Sequence, residues 1–149
     1  MPNFTLPLVA DGAVVDILVG LCAPDVQRLR TALQPIPQPV AMRAVLDTGS
    51  LFTCVDSQAF TALGLSPTGT IRILTASTGA AAVDRDQYDV SLTIVHPGGN
   101  PAWNLEIGSW TTTDSPLQPT GIPALIGIDL LARCRFIYDG RGGMFTLEY

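Results

Sequence analysis

The run Ala44-Val45-Leu46-Asp47-Thr48-Gly49-Ser50 constrains this chain more than any other. An apolar segment ends in an aspartate, and a hydroxyl residue, a glycine and a second hydroxyl residue follow at once. Val45 and Leu46 can anchor a strand in a core, which leaves the carboxyl of Asp47 where the backbone departs from the sheet. A catalytic carboxylate needs such a rigid mount. Gly49 has no side chain to obstruct a sharp turn or the approach of a second backbone. Thr48 and Ser50 carry hydroxyls that can donate to a carboxylate and fix its orientation. Asp-Thr-Gly is also ordinary turn chemistry, so its setting decides what it means.

Composition narrows that setting. At 149 residues the chain is one domain, large enough for a core without staples. Only 14% of residues are charged, against about 25% in an average protein. So little charge leaves apolar surface for a partner to cover, most simply a second copy. A formal charge of −5 and the lack of any Lys/Arg cluster argue against nucleic acid. No apolar stretch reaches the roughly 20 residues of a membrane span. The start, Met1-Pro2-Asn3-Phe4, has no basic region of the kind that opens a signal peptide, so a cytoplasmic location is expected. Cys22, Cys54 and Cys134 fit neither a disulfide framework nor a metal knuckle, and are read as buried reduced thiols. With His96 as the one histidine, a zinc site is not expected, and no cofactor is called for.

Twelve prolines, fourteen glycines and many Val, Ile, Leu and Thr residues predict a mainly β fold of short strands. Phe4–Val9 and Val14–Val19 flank Asp11-Gly12, a hairpin signal. Val14–Val19 and Val40–Leu46 are read as partner strands with a helical insertion near residues 24–33. There Val26, Leu29, Arg30 and Leu33 have helical spacing, and a proline-rich linker follows. Phe52–Val55 is a further strand, and Asp56 caps a short helix that stops at Gly64. Thr70–Leu74 and the alternating Tyr88, Val90, Leu92 and Ile94 are strands, joined through the small residues 75–82. Leu105–Ile107 is a strand and Thr111–Pro119 a polar loop. Arg135–Tyr138 and Met144–Tyr149 flank a glycine-rich turn. Trp103 and Trp110 are assigned to core or interface.

A second signature lies near the C-terminus: Leu125-Ile126-Gly127, within Ile122–Leu131, followed by Asp-Leu-Leu helix chemistry. The two motifs, in this order and among these strands, make residues 14–149 resemble the retropepsin-like aspartic proteases. The resemblance implies an acid-protease closed β-barrel, with Leu125, Ile126 and Gly127 packed beside the loop of Asp47, Thr48, Gly49 and Ser50. A short helix would follow Gly127, with Asp129 capping or beginning it. No second Asp-Thr-Gly or Asp-Ser-Gly occurs, which excludes a two-lobed monomer and implies a homodimer with one Asp47 from each copy. Thr48 would then reach across to the opposing loop. Ser50 would bond the outer carboxylate oxygen, so that Ser50→Ala shifts the pH–rate profile upward. Ala76, Ser77, Thr78 and Gly79 are candidates for a flap over an extended peptide. Terminal strands often interlace between subunits in this family, and Met144–Tyr149 could do so or pair within its own chain.

The function implied is an aspartic endopeptidase acting on peptide or protein. Two alternatives use the same residues without turnover. One is a non-catalytic retropepsin-fold dimer or extended-peptide-binding module, and the other an unrelated β-barrel in which Asp47 caps a turn.

Overall fold

Short apolar segments between turns build two sheets. The computed structural model describes residues 1–74, 79, 81–117 and 120–149. Six strands form the larger unit: β2 (Val14–Leu21), β3 (Val40–Leu46), β4 (Cys54–Val55), β6 (Val83–Ile94), β7 (Leu105–Asp114) and β8 (Ala124–Ile126). They are hydrogen-bonded in the order β2-β3-β8-β4-β7-β6, and β6 returns to pair with β2, closing a barrel. β5 (Gly69–Ile73) extends the outer half of β6 as a hairpin. The second sheet is β1 (Asn3–Pro7), β10 (Met144–Glu148) and β9 (Arg135–Asp139), with β10 in the centre.

Alternation explains the barrel. Val15, Ile17 and Val19 of β2 are buried while Asp16 between them is exposed, and Val90, Leu92 and Ile94 of β6 face the same interior. Each such side chain contributes about 1.5–3 kcal/mol when taken fully out of water. Phe145 and Leu147 of β10 join that core, which ties the second sheet to the barrel.

The β2–β3 pairing runs from Val14↔Val45 to Val19↔Val40, as the sequence implies. The insertion between them is α1 (Ala23–Thr31), which buries no residue fully and rests Val26 and Leu29 on the core. α2 (Ser57–Ala62) starts at Asp56, whose carboxylate accepts the Gln58 N–H at 3.1 Å. α3 (Ile128–Leu131) follows Gly127. Among the described residues no helix is long and apolar enough to cross a membrane.

Three expectations need correcting. The Asp11-Gly12 turn forms, with Val9 and Gly12 exchanging bonds of 3.0 and 2.9 Å, but its flanking strands do not make a hairpin. β2 is claimed on both sides by β3 and β6, so β1 crosses to β10. Thr111–Asp114 is not loop but the end of β7. Thr112 and Thr113 are buried there because their polar groups find partners: the Thr112 hydroxyl donates to Tyr88 O at 3.3 Å, and the Thr113 N–H to Thr53 O at 3.0 Å. The strand expected over Phe52–Val55 begins only at Cys54, because the Phe52 carbonyl is turned to the preceding loop.

Candidate active site

β3 and β8 run parallel, with Leu46 beside Ile126, so both strands leave the barrel at the same end. Asp47 and Gly127 therefore emerge as neighbours, and the Asp47 N–H donates to Ile126 O at 2.9 Å. A tight turn follows in which the Ser50 N–H returns to Asp47 O at 3.2 Å. The Gly49 N–H donates to Asp47 Oδ1 at 2.9 Å, so a backbone donor fixes the carboxylate. Asp47 is half-buried, while Thr48 and Gly49 are exposed. The acid is thus rigidly mounted and open on one side.

Gly127 braces this turn by having no side chain. A Cβ there would lie 2.6 Å from both the carbonyl carbon and oxygen of Phe52, and 2.9 Å from Ser50 O. That proximity lets the Ile128 N–H donate to Ser50 O at 2.9 Å. In this geometry Leu125 and Ile126 lie in a strand packed against the Asp47 loop, with Gly127 at the closest approach.

A second brace was not read from the sequence. Thr53 is fully buried; its hydroxyl donates to Asp129 Oδ1 at 2.8 Å and its N–H to Asp129 Oδ2 at 3.0 Å. The same hydroxyl oxygen accepts the Gly127 N–H at 3.2 Å. Asp129 also accepts the Leu130 N–H at 2.9 Å, so it opens α3 and at the same time pins that helix to the segment after the Asp47 turn. A polar residue isolated between Phe52 and Cys54 was the available signal, since a buried hydroxyl requires partners. Thr53→Val should strip a donor from Asp129 and an acceptor from Gly127. Urea denaturation is expected to read a loss of roughly 2–3 kcal/mol.

The Ser50 hydroxyl does not act as the resemblance implies. It donates to Phe52 O at 2.7 Å, and a hydroxyl has one proton to give, so the donor on Asp47 is Gly49 instead. The basis for an upward pH shift in Ser50→Ala is therefore missing from this chain. Ser50 also borders Cys54, whose thiol is pushed up by burial. The Ser50 hydroxyl works the other way, and the Asp129 and Asp47 carboxylates add to the rise. Cys54 consequently stays a protonated, unreactive thiol at neutral pH.

Asp114, at the end of β7, has its carboxyl pushed up chiefly by burial. Arg85 opposes the rise, and Asp56 and Asp86 reinforce it. The folded chain therefore holds this proton more tightly than the unfolded one. Stability is lost as pH climbs from the ordinary carboxylate range to the raised value, and the penalty persists above it. Asp114→Asn should raise the melting temperature at about pH 7 and leave it unchanged near pH 3, where both states are protonated. Equal shifts at both values would reject this assignment.

The β5–β6 hairpin projects from the barrel, with Gly69↔Gln87 through Ile73↔Val83 in register. Of the flap candidates, Ala76, Ser77 and Thr78 lie outside the described residues. Gly79 has a φ of +63°, a left-handed conformation suited to glycine.

No protein-family model and no curated protein matches the chain. Among solved structures, the crystal structure of a retropepsin-like aspartic protease from Rickettsia conorii is similar over 99% of this chain and 90% of that one. The TM-score is 0.56 and the identity 16%. At that identity the likeness establishes the fold: a mainly β, retropepsin-like closed barrel with few helices.

Proposed function

We propose that this chain is one half of a homodimeric aspartic endopeptidase, with Asp47 as its catalytic residue. The observation that carries the proposal is the mounting of Asp47. It stands at a strand end, its carboxylate held by Gly49 N–H and its loop braced by Gly127, with one side open.

The chemistry requires two such carboxyls. One, ionised, takes a proton from water as the water oxygen bonds to the scissile carbonyl carbon. The other, protonated, gives its proton to the carbonyl oxygen. Proton transfer to the amide nitrogen then lets the C–N bond break and frees an acid and an amine. Like charges at close range cannot both ionise readily, so the pair shares one proton and titrates in two separated steps. With one Asp47 per chain, a two-fold axis supplies the second. Thr48 is exposed beside the carboxylate, and in this proposal it meets the opposing loop. The β5–β6 hairpin, with Gly79 near its tip, is the proposed flap over an extended peptide.

The direct test offers the purified chain an unfolded protein over a range of acid pH and analyses the products by mass spectrometry. Cleavage blocked by a statine-containing transition-state analogue supports the proposal. Binding of peptide without any cleavage at high protein concentration would favour the binding-module alternative.

A further inference from the structure

The chain has eight arginines and no lysine, and seven of those arginines are exposed. Arg85 alone is half-buried. It lies on β6, where alternation gives the β5–β6 hairpin two faces. Thr70, Arg72, Asp84 and Asp86 form the exposed face, and Arg72 meets Asp84 there at 3.1 Å. Ile71, Ile73, Val83 and Arg85 form the other face, and all four are half-buried. Asp84 and Asp86 adjoin Arg85 in sequence but belong to the opposite face. Among the described residues no carboxylate lies within ion-pair distance of the Arg85 guanidinium. A charge drawn partly out of water with no partner is costly, and folded proteins seldom keep one.

The register fixes where Arg85 stands. β6 pairs with β7 from Ile94↔Leu105 to Gln87↔Thr113, so Arg85 comes two residues beyond the last pair, where the hairpin leaves the barrel. β7 in turn runs parallel to β4, with Thr113 beside Cys54 and Asp114 beside Val55. Arg85 is therefore close to the strand that follows the Asp47 loop. Its charge is felt there. Burial, the main cause at each, raises the Cys54 thiol and the Asp114 carboxyl, and Arg85 draws both down. The same Cys54 thiol also senses Asp47.

We infer that this chain selects peptides carrying an aspartate or glutamate side chain, and that Arg85 is the residue that reads it. The place of the peptide, between the hairpin and the barrel, rests on the endopeptidase proposal. A peptide extended there presents alternate side chains to the hairpin. A guanidinium holds a carboxylate through two parallel N–H···O bonds, which the unpaired Arg85 can supply. Ile71, Ile73 and Val83 on the same face favour apolar side chains beside the acidic one. Asp114 makes the preference depend on pH. Asp56 and Asp86 add to the burial that raises its carboxyl; Tyr88 is pushed up by burial and then by Asp114, and Cys54 stays protonated. The Asp56 carboxylate is committed to the Gln58 and Leu117 N–H groups at 3.1 and 3.2 Å, and Asp86 lies on the exposed face. As pH falls, Asp114 takes up its proton before an ordinary peptide carboxylate does. In that interval Asp114 no longer competes for Arg85 while the peptide is still ionised, and selection is strongest.

The test offers a peptide library, with a fixed central apolar pair to set the register, to immobilised Asp47→Asn protein at about pH 5.5. Retained peptides are sequenced by mass spectrometry, so binding is read without turnover. Wild type receives the same library in solution, and its cleavage products are sequenced. Retained peptides are expected to be enriched about tenfold in Asp or Glu at one position. Adding Arg85→Gln should abolish that enrichment. Adding Arg85→Glu should replace it with Arg or Lys at the same position, an inversion that loss of structure cannot produce. Adding Asp114→Asn should carry the acidic preference up to about pH 7, and an unchanged range would remove the part assigned to Asp114. No retained peptide, no acidic enrichment, enrichment that survives Arg85→Gln, or no inversion in Arg85→Glu would each overturn the inference. Acidic enrichment without cleavage by wild type leaves selection by Arg85 standing and sinks the endopeptidase proposal. Cleavage with no acidic preference does the reverse.

Discussion

Asp47→Asn is expected to leave the fold and the dimer intact and to reduce peptide cleavage by about 10⁴-fold or more, the scale seen when one member of a cooperating catalytic unit is removed. The substitution is nearly isosteric. An asparagine side-chain oxygen can still accept the Gly49 N–H that holds Oδ1 at 2.9 Å, and the Asp47 backbone bonds to Ile126 and Ser50 do not involve the carboxyl. What is lost is the capacity to take and return a proton. With both copies substituted, two amides face each other and have no proton to divide as two acids do, so neither water activation nor carbonyl polarisation survives.

The same variant tests whether the site is shared. When an equal amount of Asp47→Asn chain is added to wild type and subunits exchange, about half the wild-type chains acquire an inactive partner, and cleavage per wild-type chain falls to about half. A site complete within one chain would show no fall. Activity should also drop faster than linearly on dilution, since separated chains carry a single carboxyl.

How much of this was legible in the sequence depended on the range of the interaction. The Asp47 turn was readable because an apolar strand, an acid, a hydroxyl and a glycine in succession dictate local geometry. The β2–β3 pair was readable because two alternating segments flank a helical insertion bounded by prolines. The partner of β1 was not. Asp11-Gly12 specifies a turn, but which strand β1 then joins depends on β3 and β6 already occupying both edges of β2. Thr111–Asp114 reads as polar loop until Tyr88 and Thr53 stand beside it to satisfy its buried polar groups. The Thr53–Asp129 brace joins residues 76 positions apart, and no local pattern specifies it. The Ser50 hydroxyl was assigned to Asp47 on resemblance, whereas the closeness of the Phe52 carbonyl within the same turn decides its partner.

Gly127→Ala is the sharpest stability test of the site. Gly127 has φ −84° and ψ 179°, extended backbone that alanine adopts without strain, so conformational freedom does not explain the glycine. Space does. The added methyl would meet Phe52 carbonyl atoms at 2.6 Å and Ser50 O at 2.9 Å, and all of them are backbone, with no flexible side chain to swing aside. Relief requires β8 and the Asp47 turn to separate, which strains the Ile128–Ser50, Thr53–Gly127 and Asp47–Ile126 bonds together. Overpacking of this kind costs roughly 1–3 kcal/mol, which corresponds to a melting temperature lower by about 3–10 °C in a domain of this size. Displacement of the carboxyl by about 1 Å should also cut kcat/KM by about 100-fold. Gly108→Ala on β7 is the matched control. Its new Cβ would sit 3.5 Å from the Ala23 Cβ, an ordinary contact, and both readouts should stay close to wild type. Should the two variants melt and turn over alike, the close approach of Gly127 to the Asp47 loop would not be what holds the acid in place.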